Sequence, residues 1–558
     1  MKFLTKWYLI LVIIFISFFI NCVKKSADLV LINGNLITMN SDTPTAEAIA
    51  IIGDRILEVG TNRKIKKFVT PETIVIDLKG KTVVPGLIDA HFHFMGVGDS
   101  KRILNLVGTR DKKEIIDLVA KKISQVEKGT WVLGRGWDQN DWPVREFPIR
   151  WDLDPVSPEN PVLLRRTDGH AIWVNSLVLK MAGITKETAD PPGGKILRRF
   201  ETLEPTGVLI DEATLLVEKI VPSLSYQERK EIAKLAEEEC LSLGLTSIHD
   251  AGVGLETIKI YKELIDENKL NIRLYVMVSG PGEAAEKYLA RGPEIGYGNN
   301  RLTIRSIKML ADGALGSRGA VLFKPYSDDP TNTGLITFDV EKAYQTMVNA
   351  LKAGFQMCVH AIGDKGNRLV LDLFEKAFRA VPQVKDHRFR IEHAQVLAPS
   401  DIPRFAKLEI IPSMQPTHAT SDMYWAEDRL SPERIKGAYA WRSLLQTDIR
   451  IAGGSDAPVE NANPLWGIYA ACTRQDHKGW PEGGWYPEQK LNRMEALKMF
   501  TIDAAYAAFE EEIKGSLEKG KLADLVVLSQ DILKIPASEI LKTSVEMTIL
   551  GGKIVYQR

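Results

Sequence analysis

The chain has 558 residues, with 72 lysines and arginines against 72 aspartates and glutamates, so its formal charge is zero. That balance carries no electrostatic footprint for nucleic acid or for an acidic surface as partner. A hydrophobic content of 45%, with no low-complexity tract and no solenoid period, excludes a disordered or repeat protein and leaves room for a large core.

Lys2 and Lys6 precede an apolar run from Trp7 to Ile20, shorter than the ~20 residues of a bilayer span. A charged start and a short apolar core are the pattern of a secretory signal. Cys22 follows at once, and residues 1–22 resemble a bacterial lipoprotein signal in which Cys22 is lipidated. Asn21 departs from the usual small residue before the cysteine, so a plain signal peptide or an uncleaved anchor is the alternative. The expectation is an exported body tethered to a membrane by its N-terminal lipid anchor, not embedded in it. The other cysteines, Cys240, Cys358 and Cys472, form no Cys-x-x-Cys pattern and no disulfide framework.

Short strands and turns follow. Leu29 to Ile32 and the Asn33-Gly34-Asn35 turn read as a hairpin, and Ala48 to Ile52, Gly53-Asp54-Arg55 and Ile56 to Val59 as another. The far end has the same texture: Ala523 to Leu528, then Val545 to Leu550 and Lys553 to Tyr556 around Gly551-Gly552. Neither end can bury its apolar face alone. The two ends therefore predict one composite small β domain from 27–83 and 516–558.

Between them, over 84–515, eight apolar runs bounded by turn signals read as strands: Val84 to Asp89, Leu245 to Asp250, Ile272 to Ser279, Thr303 to Leu310, Phe355 to Ala361, Phe389 to Ala394, Glu409 to Met414 and Arg450 to Ser455. Helical patterns such as Ser225 to Leu243 and Val340 to Ala353 separate them. Eight parallel strands with crossover helices predict an α/β fold, a (β/α)8 TIM barrel, with an open doubly wound sheet as runner-up. The first crossover, from about His93 to Leu245, is too long for a bare loop. It reads as an inserted subdomain, about 125–215, lying over the barrel mouth.

The first strand ends in Asp89-Ala90-His91-Phe92-His93. Residues two apart on a strand share a side, so His91 and His93 aim two imidazoles at one point. The later strand ends add Lys308, His360, His393 and Asp456. Each alone reads as well as a core or loop residue. Their joint position at the C-terminal ends of the strands, where such barrels form their sites, favours a metal site. Nitrogen and carboxylate donors without thiolate suit zinc, with iron, manganese or nickel as alternatives.

Pro85-Gly86-Leu87-Ile88-Asp89-Ala90-His91-Phe92-His93 and the returning tail Gly515-Ser516-Leu517-Glu518-Lys519-Gly520-Lys521-Leu522-Ala523-Asp524-Leu525-Val526-Val527 resemble the amidohydrolase superfamily. Trp131 to Asp138, Asp168-Gly169-His170 and Asp312 to Arg318 are similar to its branch of N-substituted formamide deformylases and exoenzyme-regulatory-protein-like amidohydrolases. The resemblance implies that His91, His93, His360, His393 and Asp456 hold one or two divalent ions, and that Lys308 is N-carboxylated as a bridging ligand. The alternative is an uncarboxylated Lys308 paired with Asp312 beside a single ion. It further implies hydrolysis of a non-peptide C–N bond, in an amide, N-acyl or N-formyl small molecule, by metal-activated hydroxide, with Asp456 as the catalytic acid–base. An esterase, carbamate or phosphotriester hydrolase, or a lipid-anchored binding protein retaining the fold, are the alternative readings. His170, from the insertion, is a candidate substrate contact, Arg318 either a substrate contact or a loop salt bridge, His418 a pocket residue, and Trp137, Trp142 and Trp173 either a lid or packing within the insertion. The oligomeric state stays open, a homo-oligomer included.

Overall fold

The computed structural model describes residues 26–558; the signal segment and Cys22 lie outside the described residues. Among the described residues no helix is long and apolar enough to cross a membrane.

Eight parallel strands form the central sheet: β1 (Leu87–Phe92), β2 (Leu245–Val253), β3 (Arg273–Ser279), β4 (Leu302–Leu310), β5 (Gln356–Ala361), β6 (Arg390–His393), β7 (Ile411–Met414) and β8 (Ala452–Gly453). They are hydrogen-bonded in chain order, and helices such as Tyr226–Ser242 and Val340–Ala353 return the chain between them. The first of these begins at a Ser225–Glu228 capping box, which satisfies N–H groups at the helix start. The expected barrel is therefore present. β1, β5, β6 and β7 are buried along their whole length, as strands covered on both faces must be.

Strand periodicity sorts their side chains. Ile88, Ala90, Ile411 and Ala452 form an apolar cluster against the helix Ile502–Ala507. The alternate positions place polar groups inside: Asp89, His91, His249, Lys308, Gln356, His360, Arg390 and Glu392 are all buried. The barrel interior is thus polar at its mouth.

Closure between β8 and β1 is the weak place, because β8 has two residues and its ladder partner is β7. The seam is made by hydrogen bonds instead. Asp89 accepts from the Ser455 N–H at 2.9 Å, from Ser455 Oγ at 2.6 Å and from the His91 N–H at 3.0 Å. Beyond it, the Asp456 N–H donates to the His91 carbonyl and the His93 N–H to the Ala457 carbonyl. A Cβ on Gly454 would sit 2.6 Å from the His91 nitrogen, so this residue must be glycine for the two edges to meet.

The chain ends build a sandwich. One sheet runs Arg55–Gly60, Ala48–Ile52, Leu29–Ile32 and Ile74–Asp77; the other runs Lys553–Gln557, Val545–Leu550, Leu525–Leu528, Thr82–Pro85, Asn35–Ile37 and Thr45–Ala46. Leu29, Ile49 and Ile51 of the first pack on Leu36, Val83, Leu525 and Ile549 of the second. The hairpins around Gly53-Asp54 and Gly551-Gly552 form as expected. Asn33-Gly34 does not close one: its flanking strands lie in different sheets, and the turn carries the chain across the sandwich. Buried Arg273 of β3 holds Asp524 through two hydrogen bonds and ties sandwich to barrel.

The insertion has a six-stranded sheet in the order Gly194–Arg198, Pro205–Asp211, Ala171–Val174, Val162–Arg166, Val132–Trp137 and Leu104–Asn105. It therefore starts earlier than the sequence suggests, since the helix Lys112–Ile123 packs Ile115 and Val119 into its core. Trp137, Trp142 and Trp173 belong to that core and form no lid.

Replacing Asp89 with Ala leaves two backbone N–H groups and a hydroxyl at the seam without their acceptor. We expect a loss of about 2–4 kcal/mol, read as a lower thermal unfolding midpoint, with far-UV circular dichroism unchanged at low temperature. An unchanged midpoint would show that the seam does not depend on this carboxylate.

Candidate metal centre

A cavity of about 1180 Å³ lies over the C-terminal ends of the strands, between barrel and insertion. His91, His93, Lys308, His360, His393, His418 and Asp456 all line it. Residues drawn from six strand ends over more than 360 positions of sequence thus share one pocket.

The imidazoles are fixed by their far nitrogens. His91 Nδ1 lies 2.5 Å from Glu392 Oε2, His93 Nδ1 lies 3.1 Å from the Ala251 carbonyl, and His393 Nδ1 lies 2.7 Å from Gln415 Oε1. Each partner is an acceptor, so each Nδ1 carries the proton and each Nε2 presents a lone pair to the cavity. Those lone pairs converge on another acceptor. Asp456 Oδ1 is 3.1 Å from His93 Nε2 and 3.6 Å from His91 Nε2. Nitrogen lone pairs facing a carboxylate, with no donor between them, are the signature of a cation site. His91 Nε2, His360 Nε2, His418 Nε2 and Asp456 Oδ1 are buried without a hydrogen-bond partner. One donor atom each from His91, His393 and Asp456 lies within 4.8 Å of the others. The donor set therefore fits a divalent ion.

Backbone geometry does part of the aiming. Glu392 points into the barrel, so the next residue on a regular strand would point out toward the helices. His393 escapes that by adopting φ 72°, and Asp456 turns off its strand at φ 60°. Left-handed conformations are costly for such residues and are concentrated at functional sites.

Charge does the rest. Burial works to raise the Glu392 carboxyl pKa, but Arg390 and His91 overcome it and hold the group far below the ordinary glutamate range. Arg390 is fully buried; it donates to the Ala90 carbonyl, to Glu392 and to Ser413 Oγ, and meets His249 Nδ1 at 3.0 Å. Burial drives His249 well below the usual imidazole pKa, so it stays neutral and accepts from the guanidinium. His249 is thus a positioning group of the interior. Lys308 is 4% exposed, and burial lowers its pKa from the ordinary lysine value.

Lys308 does not pair with Asp312. That carboxylate accepts from the N–H groups of Val321, Ile362 and Gly363, and its nearest imidazole is His360, 3.6 Å away. Arg318 does not line the cavity; it pairs with Asp328 through two hydrogen bonds, so it is a loop ion pair and not a substrate contact. His170 does line the cavity, held by Asp211 at 2.8 Å. Sequence reasoning passed over Glu392, Arg390 and Asp89. Their signal was an Arg-x-Glu pair and an aspartate at inward positions of otherwise apolar strands. His418 Nε2, 3.8 Å from Asp456 Oδ2, stands closer to the centre than a mere pocket residue.

Residues 74–556 match the model of the amidohydrolase family. The chain is 37% identical over 543 residues to Protein LONG AFTER FAR-RED 3 of Arabidopsis thaliana, covering 95% of this chain and 92% of that protein. It is 28% identical over 551 residues to the N-substituted formamide deformylase of Arthrobacter pascens, covering 95% and 98%. A crystal structure of a metal-dependent hydrolase from Pyrococcus horikoshii OT3 superposes with a TM-score of 0.73 at 28% identity, covering 91% of this chain and 99% of that one. The chain belongs to the amidohydrolase family of metal-dependent hydrolases.

Proposed function

We propose that the protein hydrolyses a non-peptide C–N bond in an N-acyl or N-formyl small molecule. The observation that carries this reading is the set of outward lone pairs on His91, His93 and His393 facing the unpartnered Oδ1 of Asp456 in one buried cavity. Similarity to a protein named N-substituted formamide deformylase supports the choice of bond.

His91, His93, His360, His393 and Asp456 would hold one or two divalent ions, with zinc favoured by the donor set and iron, manganese or nickel as alternatives. Such an ion lowers the pKa of water toward ~7 and polarises a carbonyl. Lys308, in its carboxylated form, would supply further oxygen donors to such an ion. Its buried amine is pushed toward the neutral state that carbon dioxide requires, because burial outweighs the opposing pull of Glu392 and Asp456. Asp456 supplies the acid–base group: one oxygen accepts the proton of the attacking water and returns it to the leaving nitrogen. His170 stands across the cavity, where its ring can contact the substrate. Glu392 and Gln415 keep the His91 and His393 rings oriented throughout. A lipid on Cys22 would anchor the exported protein at a membrane.

Asp456→Asn keeps a ligand oxygen and loses the base. Turnover on an N-formyl amine should fall about a hundredfold or more while metal content, measured by elemental analysis, is retained. Near-normal turnover would remove Asp456 from the acid–base role. A parallel panel of amides, esters, carbamates and phosphotriesters decides the bond, since preference for any of the last three would replace the amide assignment. Glu392→Gln weakens the hold on His91 Nδ1. Metal affinity, measured by competition with a chelator, should fall about 10–100-fold. Unchanged affinity would mean that the His91 ring is oriented without this carboxylate.

A further inference from the structure

Arg135 stands on the insertion strand Val132–Trp137 and lines the main cavity. It also lines a second cavity, of about 610 Å³, that opens beside His93 and His170 between insertion and barrel mouth. A guanidinium has five N–H donors. This one makes a single side-chain hydrogen bond, from Nη2 to the Thr167 carbonyl at 2.8 Å, and its Nε is buried without a partner.

Four carboxylates of that wall are engaged elsewhere. Asp138 and Asp168 hold Arg166, Asp211 holds His170, and Glu218 holds Arg165. Among the described residues Arg135 has no ion pair. The turn at Gly169 lies against the guanidinium. Gly169 adopts φ 79°, and a Cβ there would lie 3.6 Å from both Nη1 and Nη2. Burial lowers the Arg135 pKa to about 10, the direction expected of a cation short of counter-charge.

An unpaired, largely desolvated guanidinium is expensive unless an anion meets it, and its planar fork matches a carboxylate. The rest of the lining limits how much negative charge can enter, because Asp141, Asp422, Glu460 and Asp476 all face the same space. A guanidinium set among these acids suits a monoanion better than a phosphate dianion.

We infer that Arg135 is a substrate anchor that binds a carboxylate carried by the substrate away from the scissile bond. The substrates are then N-acyl or N-formyl compounds with a second, anionic group, such as N-acylated amino acids. The inference rests on the proposed C–N hydrolysis for its reaction, but the binding of the carboxylate stands apart from it.

The test compares wild type, Arg135→Gln and Arg135→Lys in their metal-loaded forms by two readouts. One is kcat/KM for N-formylphenylalanine against N-formylphenylalaninamide. The other is calorimetric affinity for phenylacetate against phenylacetamide. Wild type should prefer the carboxylate over the carboxamide about tenfold or more in both, Arg135→Gln should erase most of that preference, and Arg135→Lys should keep part of it. If neither formamide is hydrolysed but phenylacetate binding still depends on Arg135, the proposed reaction fails and the anchor stands. If both are hydrolysed with a carboxylate preference equal in all three proteins, the anchor is overturned and the reaction stands. Absence of any carboxylate preference in wild type, or of detectable binding of either phenyl compound, also overturns it.

Discussion

The structure depends on a carboxylate sealed inside the barrel. Glu392 is fully buried and lies between a guanidinium, Arg390, and an imidazole, His91. Taking those charges out of water is costly, and removing one partner of such a pair costs about 3–5 kcal/mol because the other is left uncompensated. The arrangement is tolerated because nearly every group in it is met. Arg390 reaches from β6 to β1 through the Ala90 carbonyl, to β7 through Ser413 and to β2 through His249. One side chain thus ties four strands together from within, and the same network fixes the tautomer of His91 at the mouth. Stability of the barrel and readiness of the site are here one electrostatic arrangement.

The seam repeats that economy. β8 is too short to close the cylinder by a ladder, so closure falls to Asp89 below and to the backbones of His91, His93 and Asp456 above. The groups that complete the barrel are those that present the donor atoms. A shift of one edge against the other would move His91 and Asp456 apart by the same amount, so the register of the seam sets the distance between them. The left-handed conformations at His393 and Asp456 fit this picture, because each is over-determined by neighbouring bonds.

Much of this was legible in the sequence, for a physical reason. Histidines and an aspartate at the ends of apolar runs are visible wherever strand period and strand end coincide, which places His91, His93, His360 and Asp456. His393 was legible as a strand-end residue, whereas its aim depends on a φ of 72° that no pattern announces. The Asn33-Gly34 turn misled because turn chemistry specifies a reversal and not the partner strand; here the reversal crosses between sheets. The two-residue strand Leu104–Asn105 carries too little periodicity to mark where the insertion begins. The Arg390-x-Glu392 pair is visible in the sequence, which does not show that both face inward across a barrel and can neutralise each other there. Arg318 read as either a substrate contact or a loop salt bridge, and Asp328, ten positions away across a loop, makes it the salt bridge.

Barrel and insertion divide the work of the cavity. The barrel contributes lone pairs and a carboxylate whose geometry is set by strands and by a buried charge network, so it has little freedom to vary. The insertion contributes Arg135, Arg166, Asp168 and His170 from strand ends and turns of a separate sheet with its own core. Arg166, with carboxylates on two sides, is locked in place; Arg135, one strand over and close to the same acids, is not. A wall that neutralises one arginine twice and leaves its neighbour unpaired has its charge arranged for something that enters from outside. The metal-binding donors therefore come from the barrel, while the cavity wall around them is shared between the insertion and the loops after the barrel strands.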